Sequence, residues 1–338
     1  MTIDLRSDTV TKPTPAMLDA ISQAKVGDDV FREDSTINEL EVRMASEFGM
    51  EDALFCPSGT MTNQIAIKMH TQPGNEVICD KTAHVYIYEG GGIAFNSGCQ
   101  VRPLDGERGR INATQVQESL NPDDVHKAPT RLVCLENTAN RGGGSCYDWN
   151  DILEIQQVCT AHGLKLHLDG ARIYNALIAS HQTAKQYGAI FDSISVCLSK
   201  GLGCPVGSVL LGTKEDIAKA RRIRKILGGG MRQAGFLAAA GLYALDHHIT
   251  RLEEDHLHAK ALSSALKTKD FTGDILPVET NIVIFTVQGR YAAASLAAEF
   301  RKRDIFTVAI SPTQVRMVTH LDISDAAVER AIKVINEL

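Results

Sequence analysis

Ser193-Ile194-Ser195-Val196-Cys197-Leu198-Ser199-Lys200-Gly201-Leu202-Gly203 decides how the chain folds. Small polar and apolar residues alternate, a lysine follows, and glycines then open the backbone. Alternation ended by glycine reads as a strand that stops abruptly. An amine at a strand end, flanked by residues too small to shield it, is placed to condense with a carbonyl cofactor. A surface lysine in a turn has the same local pattern. The chemical reading is favoured by a second strand end upstream, Leu164-Lys165-Leu166-His167-Leu168-Asp169-Gly170-Ala171-Arg172, which closes on an aspartate.

The 338 residues, 44% of them hydrophobic, are enough for one large domain and a smaller one. A net charge of −6 with scattered signs leaves no basic stripe, so no nucleic-acid partner is expected. No uncharged run approaches the ~20 residues of a membrane span, and none is expected. Met1-Thr2-Ile3-Asp4-Leu5-Arg6 lacks the apolar run of a signal peptide. The eight cysteines form no C-x-x-C pair, and several fall inside apolar strand patterns as small hydrophobes. Free thiols suit a reducing cytoplasm.

Arg6-Ser7-Asp8-Thr9-Val10-Thr11 opens as a polar loop, and Pro15 is suited to start a helix. Ala53-Leu54-Phe55-Cys56-Pro57-Ser58-Gly59-Thr60 reads as a strand turning into a helix over 60–70. Ser58, Gly59 and Thr60 then lie at a helix N-terminus, where free N–H groups attract phosphate, although S-G-T is also an ordinary capping turn. Strands at 76–80, 99–104, 131–137, 165–169, 193–199 and 208–212 alternate with helices, predicting an α/β fold with a parallel sheet covered on both faces. Ligands bind outside the carboxyl ends of such strands, and Ser58, His84, Glu136, Asp169 and Lys200 fall on that rim. Beyond Ala244 the helices lead away from the sheet into an α+β unit, which divides the chain into a large domain, 1–245, and a small C-terminal domain, 246–338.

Pyridoxal phosphate requires a lysine for its aldehyde, an acid for its ring nitrogen, a cradle for its phosphate and a flat group on its ring. Lys200, Asp169, Ser58-Gly59-Thr60 and His84 meet those requirements in workable order along one sheet. Singly, Asp169 is also a plausible helix cap and His84 a polar residue at a helix start.

These motifs resemble the threonine aldolases, pyridoxal-phosphate enzymes of the aspartate-aminotransferase fold type. The resemblance runs from Asp4-Leu5-Arg6-Ser7-Asp8-Thr9 through the segments above and Gly228-Gly229-Gly230-Met231-Arg232-Gln233 to Arg316-Met317-Val318-Thr319-His320-Leu321-Asp322. It implies that Lys200 binds the cofactor, Asp169 pairs with the ring nitrogen and His84 stacks on the ring. Ser58, Gly59 and Thr60 would hold the phosphate, with Arg232 reaching it from a neighbouring subunit. Ser7, Arg172 and Arg316 would receive the substrate carboxylate, and His126 would stand near the β-hydroxyl. The implied activity is cleavage of L-threonine or L-allo-threonine to glycine and acetaldehyde by a cytoplasmic homotetramer with shared sites, other β-hydroxy-α-amino acids being accepted. A phenylserine aldolase, a serine hydroxymethyltransferase-like enzyme and a β-eliminating lyase are the alternatives on the same fold, and a non-catalytic relative is a further one.

Three departures from the family's usual pattern are visible. Phe31 stands where a tyrosine is customary, Ala139 replaces a histidine in Glu136-Asn137-Thr138-Ala139-Asn140, and an atypical Arg141-Gly142-Gly143-Gly144 follows.

Overall fold

The computed structural model describes residues 2–338. After β1 (Ile3–Asp4) the chain lays down β2 (Asp52–Cys56), β3 (Glu76–Asp80), β4 (Gln100–Leu104), β5 (Thr130–Glu136), β6 (Lys165–Gly170), β7 (Ser193–Cys197) and β8 (Ser208–Gly212). Strands β2 to β8 form one seven-stranded sheet in the order β2-β8-β7-β6-β5-β3-β4. Every side chain of β3, β7 and β8 is buried, because helices cover both faces of the sheet.

The sheet is mostly parallel, as the strand–helix alternation predicts, with one exception. β8 runs antiparallel to both its neighbours, β2 and β7. Residues 198–207 are all that join β7 to β8, and a parallel crossover needs about a dozen residues or more. All six other strands share one direction, so Cys56, Asp80, Glu136, Gly170 and Cys197 end on the same edge.

Helix starts follow their caps. Asp34 accepts from the Ile37 N–H to begin Ser35–Phe48, and Ser58 accepts from Met61 to begin Gly59–His70. Glycine ends the first of these: Gly49, at φ +65°, sits just past its last turn. Among the described residues no helix is long and apolar enough to cross a membrane.

A second sheet is wholly antiparallel. β9 (Thr272–Ile275), β10 (Ile282–Val287), β12 (Val308–Ala309) and β13 (Gln314–Val318) pair in the order β12-β13-β10-β9, and β11 (Ile305–Phe306) stands apart from them. The helices Leu252–Leu266, Ala293–Arg301 and Asp325–Glu337 pack on this unit, around Phe271, Phe285 and Phe300. The N-terminal strand, read from sequence as part of the large domain, joins this second core instead. β1 pairs in parallel with β11, Ile3 opposite Ile305, and Ile3 and Leu5 are buried among the small domain's aromatic side chains. Apolar Ile3 and Leu5 alternate about Asp4, a period-two pattern too short to reveal its partner.

From β1 the chain enters a single turn of 3-10 helix capped by Ser7, whose Oγ accepts from the Thr9 N–H. Asp8 in that turn is wholly buried and receives the Arg172 Nε and Nη2 at 2.6 and 2.7 Å. The Asn281 Nδ2 also donates to it, at 3.3 Å. One carboxylate thus ties Arg172, two residues past β6, to Asn281, the residue preceding β10. Burial by itself raises the Asp8 carboxyl; the charge and hydrogen bonds of Arg172 outweigh it and hold the group down at about 2.

Removing one member of a buried ion pair strands the other charge, at a cost of about 3–5 kcal/mol. Asp8→Asn should therefore lower unfolding stability by about that amount at neutral pH, read from urea denaturation. The depressed carboxyl stabilises the fold fully above its unfolded value of about 4, and that contribution is lost as pH falls towards 2. The gap between the two proteins should accordingly close across that window. A constant gap down to pH 2 would mean that the charge of Asp8 is not what stabilises.

Candidate active site

The carboxyl edge of the parallel strands meets the small domain at a cavity of about 500 Å³. Ser7, His84, Arg172, Lys200 and Arg316 line it, together with Tyr88, Glu136, Asn140 and Arg141. Five residues expected at the site are therefore brought together from five separate segments and both domains.

Lys200 sits in the turn after β7, where the Gly203 N–H and the Thr11 hydroxyl both donate to its carbonyl oxygen. Its Nζ lies 3.4 Å from the Cys197 Sγ. Burial favours the neutral amine, but the Cys197 sulfur and the carboxylates of Asp169 and Asp8 prevail, and the ammonium form is held above its ordinary range.

Asp169 lies beside Glu136 across the β5–β6 pair and is almost fully buried. Its Oδ1 accepts from the Ala171 N–H at 3.1 Å and its Oδ2 from the Asn63 Nδ2 at 2.9 Å. Among the described residues no lysine or arginine pairs with it. A buried carboxylate with amide donors and no cation of its own suits a protonated ring nitrogen.

A network that sequence reasoning missed holds Asp169 in place. Asn63 Nδ2 also donates to the Glu89 Oε1, Gln64 Nε2 donates to the Glu89 Oε2 at 2.6 Å, and Glu89 Oε1 meets the His84 Nδ1 at 3.0 Å. Behind Asn63, its Oδ1 meets the His167 Nε2 at 3.1 Å, and the His167 Nδ1 meets the Ser193 Oγ at 2.9 Å. Burial lowers His167 to about 4, so the ring is neutral, with Nε2 against Asn63 and Nδ1 against both the hydroxyl and the carbonyl oxygen of Ser193. His84 is affected differently: burial lowers it, yet Glu89 and Asp169 more than compensate, and it rises above the usual histidine value. The one sequence cue to this network was His167 inside a buried strand, where a polar ring needs partners on both nitrogens.

Glu136 is the second buried carboxyl of the cavity. Its oxygens accept from the backbone N–H groups of His84 and Asn140, each at 2.8 Å. Burial and the neighbouring Asp169 charge raise it to about 7.

Ser58 caps the helix Gly59–His70 beside this edge, with Thr60 exposed next to it. A Cβ at Gly59 would lie 2.4 Å from the Cys197 Sγ, so only glycine lets the helix start approach the turn that carries Lys200. Arg316 projects from β13; its Nη1 donates to the Asn140 Oδ1 and its Nη2 to the Arg6 carbonyl, while its buried Nε has no partner. Arg316 lines the cavity, and a planar guanidinium there fits an incoming carboxylate. The residues present thus fit pyridoxal phosphate and a carboxylate-bearing substrate.

Two expected residues are not brought to the cavity within one chain. His126 precedes β5 and so lies at the amino edge of the sheet, opposite the site; its side chain is 83% exposed and its Nδ1 bonds to Asp124 at 2.8 Å. Arg232, 55% exposed, pairs with Asp28 at 2.9 Å. Of the departures, Phe31 is 71% exposed, and Ala139 is buried in a β-bridge to Ser145. A Cβ at Gly109 would come within 2.9 Å of the Ala139 Cβ, so glycine is what lets that loop lie against Ala139.

Comparison with known proteins accords with this geometry. The model of the beta-eliminating lyase family matches residues 4–290. The chain is 43% identical over 323 residues to the low specificity L-threonine aldolase of Escherichia coli K12, covering 95% of each chain. It is 41% identical over 335 residues to a probable low-specificity L-threonine aldolase 2 of Arabidopsis thaliana, covering 97% of this chain and 94% of that protein. In fold it matches the threonine aldolase of Leishmania major with a TM-score of 0.87 at 21% identity, over 99% of both chains. It also matches a serine palmitoyltransferase of Sphingomonas wittichii, with a TM-score of 0.78 at 16% identity over 99% of this chain and 86% of that one. These are fold-type-I enzymes that use pyridoxal phosphate. By the span of the family match and by these identities, the chain belongs to the beta-eliminating lyase family, and within it to the threonine aldolases.

Proposed function

We propose that this chain cleaves L-threonine and L-allo-threonine to glycine and acetaldehyde by retro-aldol scission of the Cα–Cβ bond, with pyridoxal phosphate as cofactor. The observation that carries the reading is the convergence of Lys200, Arg172 and the unsatisfied Arg316 on one cavity above the buried carboxylate of Asp169. Bound there, pyridoxal phosphate supplies an electron sink for the carbanion left at Cα.

The chain's own residues perform the rest. With pyridoxal phosphate bound, Lys200 would hold its aldehyde carbon, Asp169 would keep a proton on its ring nitrogen, and Ser58, Gly59 and Thr60 would offer the helix N-terminus to its phosphate. Asn63, fixed by His167, keeps the Asp169 oxygens turned to that nitrogen. Arg316, with Arg172 and Ser7, grips the substrate α-carboxylate. A clamped carboxylate would stop rotation about the substrate's Cα–N bond and hold the breaking Cα–Cβ bond in the orientation that scission requires. His84 is fixed at Nδ1 by Glu89, which leaves Nε2 to take the β-hydroxyl proton. That His84 lines the cavity supports it as the base within one chain.

Assembly as a cytoplasmic homotetramer belongs to the same proposal. The exposure of Phe31, Phe95, Val125 and Ile226 supports burial against other copies, and the eight free cysteines support a reducing compartment. Arg232 would then reach the phosphate of a neighbour's site.

Two variants test the roles. Lys200→Ala should lose retained cofactor on dialysis, and glycine production should fall by several orders of magnitude; full retention and turnover would remove Lys200 from the site. Both threonine diastereomers serve as substrates, with acetaldehyde and glycine as the readouts. Arg316→Lys keeps the charge but loses the planar fork. KM should rise at least tenfold, and kcat should also fall if bond alignment depends on the clamp. Unchanged kinetics would place the carboxylate elsewhere.

A further inference from the structure

The cavity holds more positive charge than threonine uses. Four basic side chains line it: Arg141, Arg172, Lys200 and Arg316. Arg172 is neutralised by Asp8, Lys200 is committed to the cofactor, and Arg316 to the α-carboxylate. Arg141 remains. Its Nη1 makes one hydrogen bond, to the Ile310 carbonyl at 3.3 Å, and among the described residues no carboxylate pairs with it.

Its placement is built into the fold. Ile310 follows β12, in which Val308 lies opposite Arg316. Both guanidinium groups therefore stand against the small-domain wall of the same cavity. Arg316 is lowered by burial and by Arg172, and Arg141 adds to that repulsion, which an anion between the groups would relieve. The three glycines that follow press Arg141 into position. A Cβ at Gly142 would lie 1.9 Å from the Arg108 carbonyl oxygen, and one at Gly144 would lie 2.3 Å from the Thr280 Oγ1. Only glycine allows the loop to lie flat on both.

We infer that Arg141 receives a second carboxylate, and that the site takes β-hydroxy-α-amino acids whose side chain ends in one, 3-hydroxyaspartate being the smallest. The inference rests on the retro-aldol reading above and specifies its substrate class. The reaction balances without an oxidant. The Cα–Cβ bond breaks, the β-hydroxyl proton goes to the base, and the bonding electron pair stays on Cα. A proton then adds to Cα, giving glycine, and glyoxylate leaves in place of acetaldehyde. A planar guanidinium meets a carboxylate through two parallel bonds, a geometry no methyl group can use.

The test compares glycine formation from both diastereomers of 3-hydroxyaspartate and of threonine. The enzyme should favour 3-hydroxyaspartate in kcat/KM, and Arg141→Ala should reduce the ratio of the two kcat/KM values by about 10- to 100-fold, the worth of one charge-assisted pair. Arg141→Lys should fall between. Cleavage of threonine without cleavage of 3-hydroxyaspartate, or an unchanged ratio in Arg141→Ala, overturns the inference and leaves the aldolase reading standing. Glycine from neither substrate overturns both. Inhibition of the unaltered enzyme gives an arm independent of any variant's folding: succinate should compete with substrate at a concentration at least tenfold below butyrate, and equal inhibition overturns the inference.

Discussion

Asp8 and Arg172 meet through two short charge-assisted bonds, with Asp8 wholly buried and Arg172 nearly so. The rest of the site depends on that contact. Arg172 would otherwise be a buried guanidinium with Glu136 as the nearby carboxyl. Asp8 takes its Nε and Nη2 and leaves Nη1 as the remaining edge. The same carboxylate accepts from Asn281, so the orientation of the arginine and the seating of the small domain are set by one group. The energy of such a pair over a hydrophobic replacement is small or even negative, but the cost of losing one partner is large. That asymmetry favours it as a device for fixing geometry rather than for raising stability.

Charge is distributed by depth. The carboxyls of Asp169, Glu136 and Glu89 lie buried at the carboxyl edge of the strands, each held by amide donors, backbone for Glu136 and side-chain for Glu89. The cations stand on the cavity wall above them. A cationic ring nitrogen directed downward and an anionic substrate directed towards the wall would each find the complementary sign. The low dielectric beneath the cavity strengthens both attractions relative to water.

Much of this was legible in the sequence where function coincides with a change of secondary structure. Lys200, Asp169 and Ser58 each stand where an apolar run stops at glycine or serine, and such breaks are local events. Partnerships across the sheet were not legible. Glu89 is five residues from His84 and separated from Asn63 by a whole strand, and nothing in either segment announces the other. His167 reads as one polar residue in an apolar strand until Asn63 and Ser193 are seen on either side of it. The reversed β8 was readable in principle from the shortness of the segment before it. His126 was named by the resemblance alone, and within one chain it stands apart from the cavity, because a residue that precedes a strand enters the sheet at the opposite edge from one that follows it.

The pairing of β1 with β11 sets an order in time as well as in space. During synthesis a chain emerges from its N-terminus at about 5–20 residues per second, and early segments usually find early partners. Ile3 cannot pair with Ile305, nor Asp8 with Asn281, until nearly the whole chain has been made. The large sheet can assemble meanwhile, holding Lys200 and Asp169 in place, while the first residues wait without a partner. The carboxylate clamp is therefore the last part of the site to close, and a chain made only through its large sheet can carry the cofactor residues in register without being able to orient a substrate.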